Sequence, residues 1–309
     1  MSETNLRNAI NRITIVGVLD EKNLKRDADS RNPGQMVISG NLVVRTGKDD
    51  TVTLTTAPMR PFTKKGEENR IYSGLNTVVE DYKSVAEYGR ENADWVRLDG
   101  ASLNPYYSVK RDRPAVGYRM LSIRRVFKEE EQIPQATFEI ELYVSSIVPE
   151  NINGEDTGRV VVRGWLPMNI GEGKVGVEKV NLVAPEEIAS AVTEAYRPGD
   201  TVRFYGDIIN TRQEEKTQKA VKIGVAKEEA RVRYVSELRI TGASEAYDID
   251  NPNKDYSNPF PKEAIELAIT ERDHRIEEMK KNGNSNGGSA NYAQRPSSTP
   301  VSTGRKLPW

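Results

Sequence analysis

Apolar and polar residues alternate with a period of two over several stretches of the first 127 positions. The pattern is clear at 12–19, 35–44, 51–56, 94–102 and 118–127, and it predicts half-buried strands. A segment of different period lies between the third and fourth of these. Leu75, Val78, Val79, Tyr82 and Val85 recur every three or four residues, as they would along one face of a helix. The same order then returns. Segments 137–148, 158–166, 177–183, 201–210 and 231–241 predict five more strands, and 186–196 predicts a helix between the third and fourth, opened by Pro185 or Glu186.

The repetition extends to residue identities. Met36-Val-Ile-Ser-Gly40 matches Val160-Val-Val-Arg-Gly164. Ala93-Asp-Trp-Val-Arg-Leu-Asp-Gly100 matches Gly199-Asp-Thr-Val-Arg-Phe-Tyr-Gly206, and each follows a helix ending in tyrosine, Tyr88 and Tyr196. Element order and residue strings agree, as expected of a duplicated unit. Three strands, a helix and two strands is the order of the OB fold. That fold is a five-stranded Greek-key barrel whose ligand site is strands 2–3 plus the loops joining strands 1–2 and 4–5. Gly40, Gly100, Gly164 and Gly206 interrupt strands where a strongly coiled sheet must bend. Another small β barrel or sandwich fits the same alternation.

The fold class is therefore mostly β, with two tandem OB-type five-stranded barrels, a C-terminal helix and a disordered tail. The expected divisions are 1–131 and 132–243 for the barrels, 244–281 for a linker and amphipathic helix, and 282–309 for the tail. The helix reads from Pro261, a residue suited to a first helical position. Its narrow apolar stripe of Ile265, Ile269, Ile276 and Met279 predicts docking on a domain or a second chain. The tail is rich in Gly, Ser, Asn, Gln, Pro and Thr, a composition that buries too little apolar surface to offset ordering entropy.

Composition narrows the chemistry. The 309 residues carry 45 Lys+Arg against 46 Asp+Glu, so no global basic field is available to hold duplex DNA or a membrane. Without cysteine there are no disulfides, no thiol catalysis and no Cys-based metal sites. The one histidine, His274, lies between Asp273 and Arg275 without partner ligands and reads as a solvated residue. The longest clean apolar run, 13–19, is too short to span a bilayer, and no signal peptide is read at the start. A cytoplasmic protein without enzymatic activity or cofactor is expected. Gly171-Glu-Gly-Lys174 lacks the spacing and hydroxyl of a phosphate-binding loop. The segment from Asp248 has Asn253 where a calcium loop turns on glycine.

The informative chemistry is local. Segment 104–128 holds Lys110, Arg111, Arg113, Arg119, Arg124, Arg125 and Lys128 against one acid, Asp112, a local balance of +6. Interleaved are Tyr106, Tyr107, Tyr118 and Phe127. In the OB reading this is the strand 4–5 loop and strand 5 of the first barrel. Cations can track a phosphate backbone while aromatic faces stack on unpaired bases, at about 1–3 kcal/mol per base. A duplex hides those faces, so the mixture points to single strands. Core roles for Tyr118 or Phe127, and ion pairs from the arginines to acids at 129–131, are the alternative. In the second unit, Arg163 and Trp165 share one strand face, as do Arg203 and Tyr205, each opposite the presumed core. A domain contact that buries Trp165 fits equally well. Lys216, Lys219, Lys222 and Lys227 lie in the second strand 4–5 connection, which reads as a solvated ribbon.

Two OB-type repeats, a basic and aromatic loop, and a Gly/Ser/Asn-rich tail ending in Pro308-Trp309 resemble single-stranded DNA-binding proteins. Val232-Arg-Tyr-Val-Ser-Glu-Leu-Arg-Ile-Thr-Gly242, followed by the helix, is most similar to the phage-encoded versions from Gram-positive hosts. The resemblance implies coating and protection of transient single strands in replication or recombination. For a phage-encoded protein the setting is the host cytoplasm. It also implies docking of replication or recombination partners on the tail tip, here Leu307, Pro308 and Trp309. The acids that usually precede such a tip are replaced by Gly304-Arg305-Lys306. A virion or tail-assembly protein using such barrels as interaction modules, and a strand-annealing recombination protein, are the rival readings.

Overall fold

In the computed structural model the first set of elements is β1 (Asn11–Ala28), β2 (Met36–Arg45), β3 (Thr51–Met59), α1 (Arg70–Asp81), α2 (Val85–Tyr88), β4 (Trp95–Ser108), β5 (Arg113–Arg119) and β6 (Arg124–Val126). The second is β7 (Gln135–Ile152), β8 (Glu155–Gly171), β9 (Lys174–Ala184), α3 (Glu186–Ala195), β10 (Thr201–Lys219) and β11 (Lys227–Ala243), followed by α4 (Lys262–Gly283). The structure describes residues 6–283, apart from 31, 128–129, 131, 153, 172 and 220–226, and apart from the side chains of 212–219, 227–234 and 282–283.

Strand pairing closes each set on itself. β1 lies antiparallel to β2 and β4, β2 to β3, and β4 to β5, while β3 and β5 run parallel. The second ring repeats this: β7 with β8 and β10, β8 with β9, β10 with β11, and β9 parallel to β11. Both are OB-type barrels with the helices between the third and fourth strands. The first strands of the two rings also pair with each other, Asn11–Val16 running antiparallel to Gln135–Ile140. An antiparallel pair of equivalent strands relates the barrels by an approximate two-fold axis. Each barrel also reaches the other with a hairpin: β4 and β5 contact β9, and β10 touches the first barrel through the Asp50–Thr211 bridge.

Alternation explains the core. Ile13, Ile15, Leu42, Leu54, Leu98, Ile140, Val162, Leu182 and Phe204 are buried in one continuous cluster that crosses the seam. Each such side chain contributes about 1.5–3 kcal/mol relative to exposure. All four predicted glycine bends, Gly40, Gly100, Gly164 and Gly206, fall at or opposite breaks in register. Gly40 has φ 132° beside the shift between Ile38 and Gly40. A Cβ on Gly206 would lie 2.0 Å from the Arg239 carbonyl oxygen.

One node ties the ends of the chain to the second barrel. Glu141 on β7 is 2 % exposed. Its carboxylate accepts from Arg7 Nη1 at 2.6 Å, the Ile10 amide at 2.8 Å and the Tyr247 hydroxyl at 2.7 Å. Arg7 in turn stacks over Phe260 at 4.3 Å.

Two expectations are corrected. The fifth strand of the first barrel is 113–119 and not 118–127, with only a short β6 near the end of the predicted stretch. Tyr106 and Tyr107 consequently sit on β4, paired with Ala115 and Pro114, and not in the connecting loop. Pro114 is tolerated because it stands at the start of its strand. The stripe of α4 docks on the second barrel of its own chain through Ile265, Ala268 and Ile269, Ile276 is also buried, and Met279 stays exposed. Among the described residues no helix is long and apolar enough to cross a membrane.

Candidate nucleic-acid interface

The register of β8 against β9 sets Arg163 opposite Asn181 and Trp165 opposite Lys179. Their neighbours Val162, Leu166, Val180 and Leu182 fill the barrel, so these four side chains share its outer face. That face is divided. At one end α4 covers it, and Trp165, 8 % exposed, packs with Val177, Phe260, Ile265 and Ala268. Lys179 Nζ and the Arg272 guanidinium lie 5.0 and 5.5 Å from its ring centroid. At the other end Arg163, Lys179 and Asn181 line a groove of about 390 Å³ together with Ser145, Ser146, Gly164 and Trp165. Pro114 of the first barrel lines the same groove.

Pro114 belongs to the β4–β5 hairpin. β4 runs to Ser108, Val109–Arg111 form a 3-10 turn, and Asp112 closes it at φ 48°, ψ 42°. Lys110, Arg111 and Arg113 are exposed. With the described residues they make no ion pair or side-chain hydrogen bond, and neither do Arg119 and Arg163. Unpaired cations hold no local carboxylate to be displaced and are available to an anionic ligand. Asp112 is neutralised: the Lys280 ammonium, then the Tyr107 hydroxyl, hold its carboxyl below the usual carboxylate range.

The remaining residues singled out by sequence are placed elsewhere. Tyr118, 7 % exposed, is a core residue whose hydroxyl lies 3.4 Å from Asn210 Nδ2, so its face cannot stack on a base. Arg124 pairs with Glu130 at 2.8 Å, the ion-pair alternative raised above. Arg119 stands at the opposite end of β5 from the hairpin tip. Arg203, 14 % exposed, is held 3.0 Å from the Tyr247 hydroxyl and 5.3 Å from the Tyr256 centroid. Tyr205 joins the same cluster through Tyr256 and Arg203. Leu307, Pro308 and Trp309 lie outside the described residues.

Lys179 and Asn181 were missed from the sequence. The signal was present, since alternation over 177–183 puts both on the face that carries Arg163. Among the described residues no group of three or more histidines and carboxylates could hold a metal ion.

A search of curated proteins finds no match. Among solved structures, the single-stranded DNA binding protein from Thermus aquaticus matches in two forms. A deletion mutant is 12 % identical, covering 80 % of this chain and 99 % of its own, with a TM-score of 0.44. The wild type is 13 % identical, covering 80 % and 97 %, with a TM-score of 0.42. The YorF family model matches residues 9–282, and the chain belongs to that family.

Proposed function

We propose that the chain binds single-stranded DNA in a groove shared by the two barrels and catalyses no reaction there. The observation that carries this is the meeting of two surfaces. Pro114 brings the hairpin bearing the unpaired Lys110, Arg111 and Arg113 to the β8–β9 face of Arg163, Lys179 and Asn181. Cations alone would serve any polyanion. Tyr107, cross-strand from Pro114, sets a partly exposed aromatic ring beside them that is suited to unpaired bases. On this reading 1–131 and 132–243 act as one unit, because the groove needs both. Coating and protection of strands in phage replication or recombination is the finer role we assign. The tail tip Leu307, Pro308 and Trp309 is assigned to protein partners.

Titration of a labelled dT oligomer against duplex of equal length tests the proposal. The oligomer should bind more tightly, with affinity falling as salt rises at a log–log slope of roughly −2 to −4, for a few phosphates at about −0.7 each. Equal affinity for the duplex contradicts it. A flat salt response without strand affinity would favour the protein-interaction module. Acceleration of complementary-strand pairing would favour the annealing protein.

A further inference from the structure

α4 touches both barrels. Near its start it is anchored on the second, where Ile265 and Ala268 pack on Trp165 and Val177. Arg272, 4 % exposed, pairs with Glu178 at 2.8 Å, and Arg275 takes the other oxygen of the same carboxylate at 2.6 Å. The far end crosses to the first barrel. Lys280 Nζ lies 2.7 Å from Asp112 Oδ1 and 5.1 Å from the Tyr107 ring centroid. The Tyr107 hydroxyl donates to the same Asp112 oxygen. Asp112 is the one acid in the basic segment, and it closes the turn that carries Lys110 and Arg111.

We propose that α4 is a strut that fixes the basic hairpin beside the β8–β9 face, and that Lys280, Asp112 and Tyr107 are positioning residues for strand binding. The proposal rests on the groove being the strand site. The hairpin holds its own turn through the Ser108–Arg113 pair and the Asp112 amide on the Val109 carbonyl; what α4 adds is a tie from that turn to the second barrel. Held in register with Arg163 and Lys179, the turn's cations meet a strand without first being ordered, which removes part of the cost of binding. The Lys280–Asp112 pair is exposed, so it adds little to global stability. Its effect falls on the fraction of molecules with the hairpin in place, and apparent affinity scales with that fraction.

The absence of native cysteine allows a clean test. Lys280→Cys and Asp112→Cys are combined in the full chain, and half of the sample is joined with a short bifunctional maleimide. The unjoined variant should bind a dT oligomer about three- to fivefold more weakly than the parent. Joining should restore parental affinity. If the joined protein binds no better than the unjoined, or loses binding because α4 must move away, the strut is wrong. A second variant, Lys280→Met, should weaken binding with an unchanged salt slope. A slope smaller by about 0.7 would mean that Lys280 itself contacts phosphate, and the strut would again fail. If the parent chain does not bind the oligomer, the strand-binding reading falls first and separately.

Discussion

Changing Lys110, Arg111 and Arg113 together to Ala is expected to weaken binding of a dT oligomer about a hundredfold at low salt. All three are exposed and unpaired with the described residues, so their loss breaks no ion pair that the fold uses. A charge-assisted contact to phosphate is worth on the order of 1 kcal/mol or more. Three contacts then amount to about 3 kcal/mol, which is roughly a hundredfold. The salt dependence gives a second readout. Each phosphate contact on a single strand contributes about −0.7 to the log–log slope, so the slope should become shallower by roughly 2. Arg119→Ala, at the other end of β5, should change neither quantity appreciably. A triple variant that folds and keeps the parental slope would place the strand elsewhere.

The second large effect concerns stability. Glu141→Ala should cost about 3 kcal/mol, the low end for removing one partner of a buried ion pair, because Arg7 is partly open to water. That is a large share of the 5–15 kcal/mol of a typical domain. The carboxylate holds Arg7, the Ile10 amide and Tyr247 together. Without it the Ile10 amide and the Tyr247 hydroxyl lose this acceptor, and Arg7 keeps only the Asn8 and Asn258 carbonyls. The same node makes the stability depend on pH. Burial disfavours the charged carboxyl, but hydrogen bonds from Arg7, Tyr247 and Ile10 outweigh it and lower its pKa. A depressed folded value means that this contribution is complete above the unfolded value and is lost as pH falls through the folded one. Urea midpoints should therefore separate parent and Glu141→Gln widely at pH 7, and the gap should narrow as the solution is acidified below the ordinary carboxylate range. A constant gap would show that the charge at Glu141 is not what stabilises the node.

Much of the architecture was legible because it is written in local alternation. Strand order, the helix between third and fourth strands and the paired strings ending in Gly40, Gly164, Gly100 and Gly206 all have local causes. β5 was misplaced because Pro114 and Gly117 argue against a strand, whereas tertiary pairing with Leu103 to Ser108 imposes one. The outer half of β1 was unread because Glu21, Lys22, Lys25, Arg26 and Asp27 show no hydrophobic alternation. Pairing with β2 extends that strand as far as Ala28.

The candidate site was legible in part. Period two separated Arg163 and Trp165 from the core, but not what lies over them. Only the docking of α4 buries Trp165 and leaves Arg163 and Lys179 open, and a contact between segments about a hundred residues apart has no local signature. Arg203 and Tyr205 show the same limit. Their strand face does point away from the barrel, yet Tyr247 and Tyr256 from the following segment occupy it.

The shared groove is tested most directly by lysine footprinting. The full chain is acylated with and without a bound dT oligomer, and each lysine is quantified by mass spectrometry. Lys110 on the first barrel and Lys179 on the second should be protected together in the complex, while the exposed Lys64 and Lys254 keep their reactivity. A bound strand that shields Lys110 without Lys179, Lys179 without Lys110, or neither, would contradict a single groove built from both barrels.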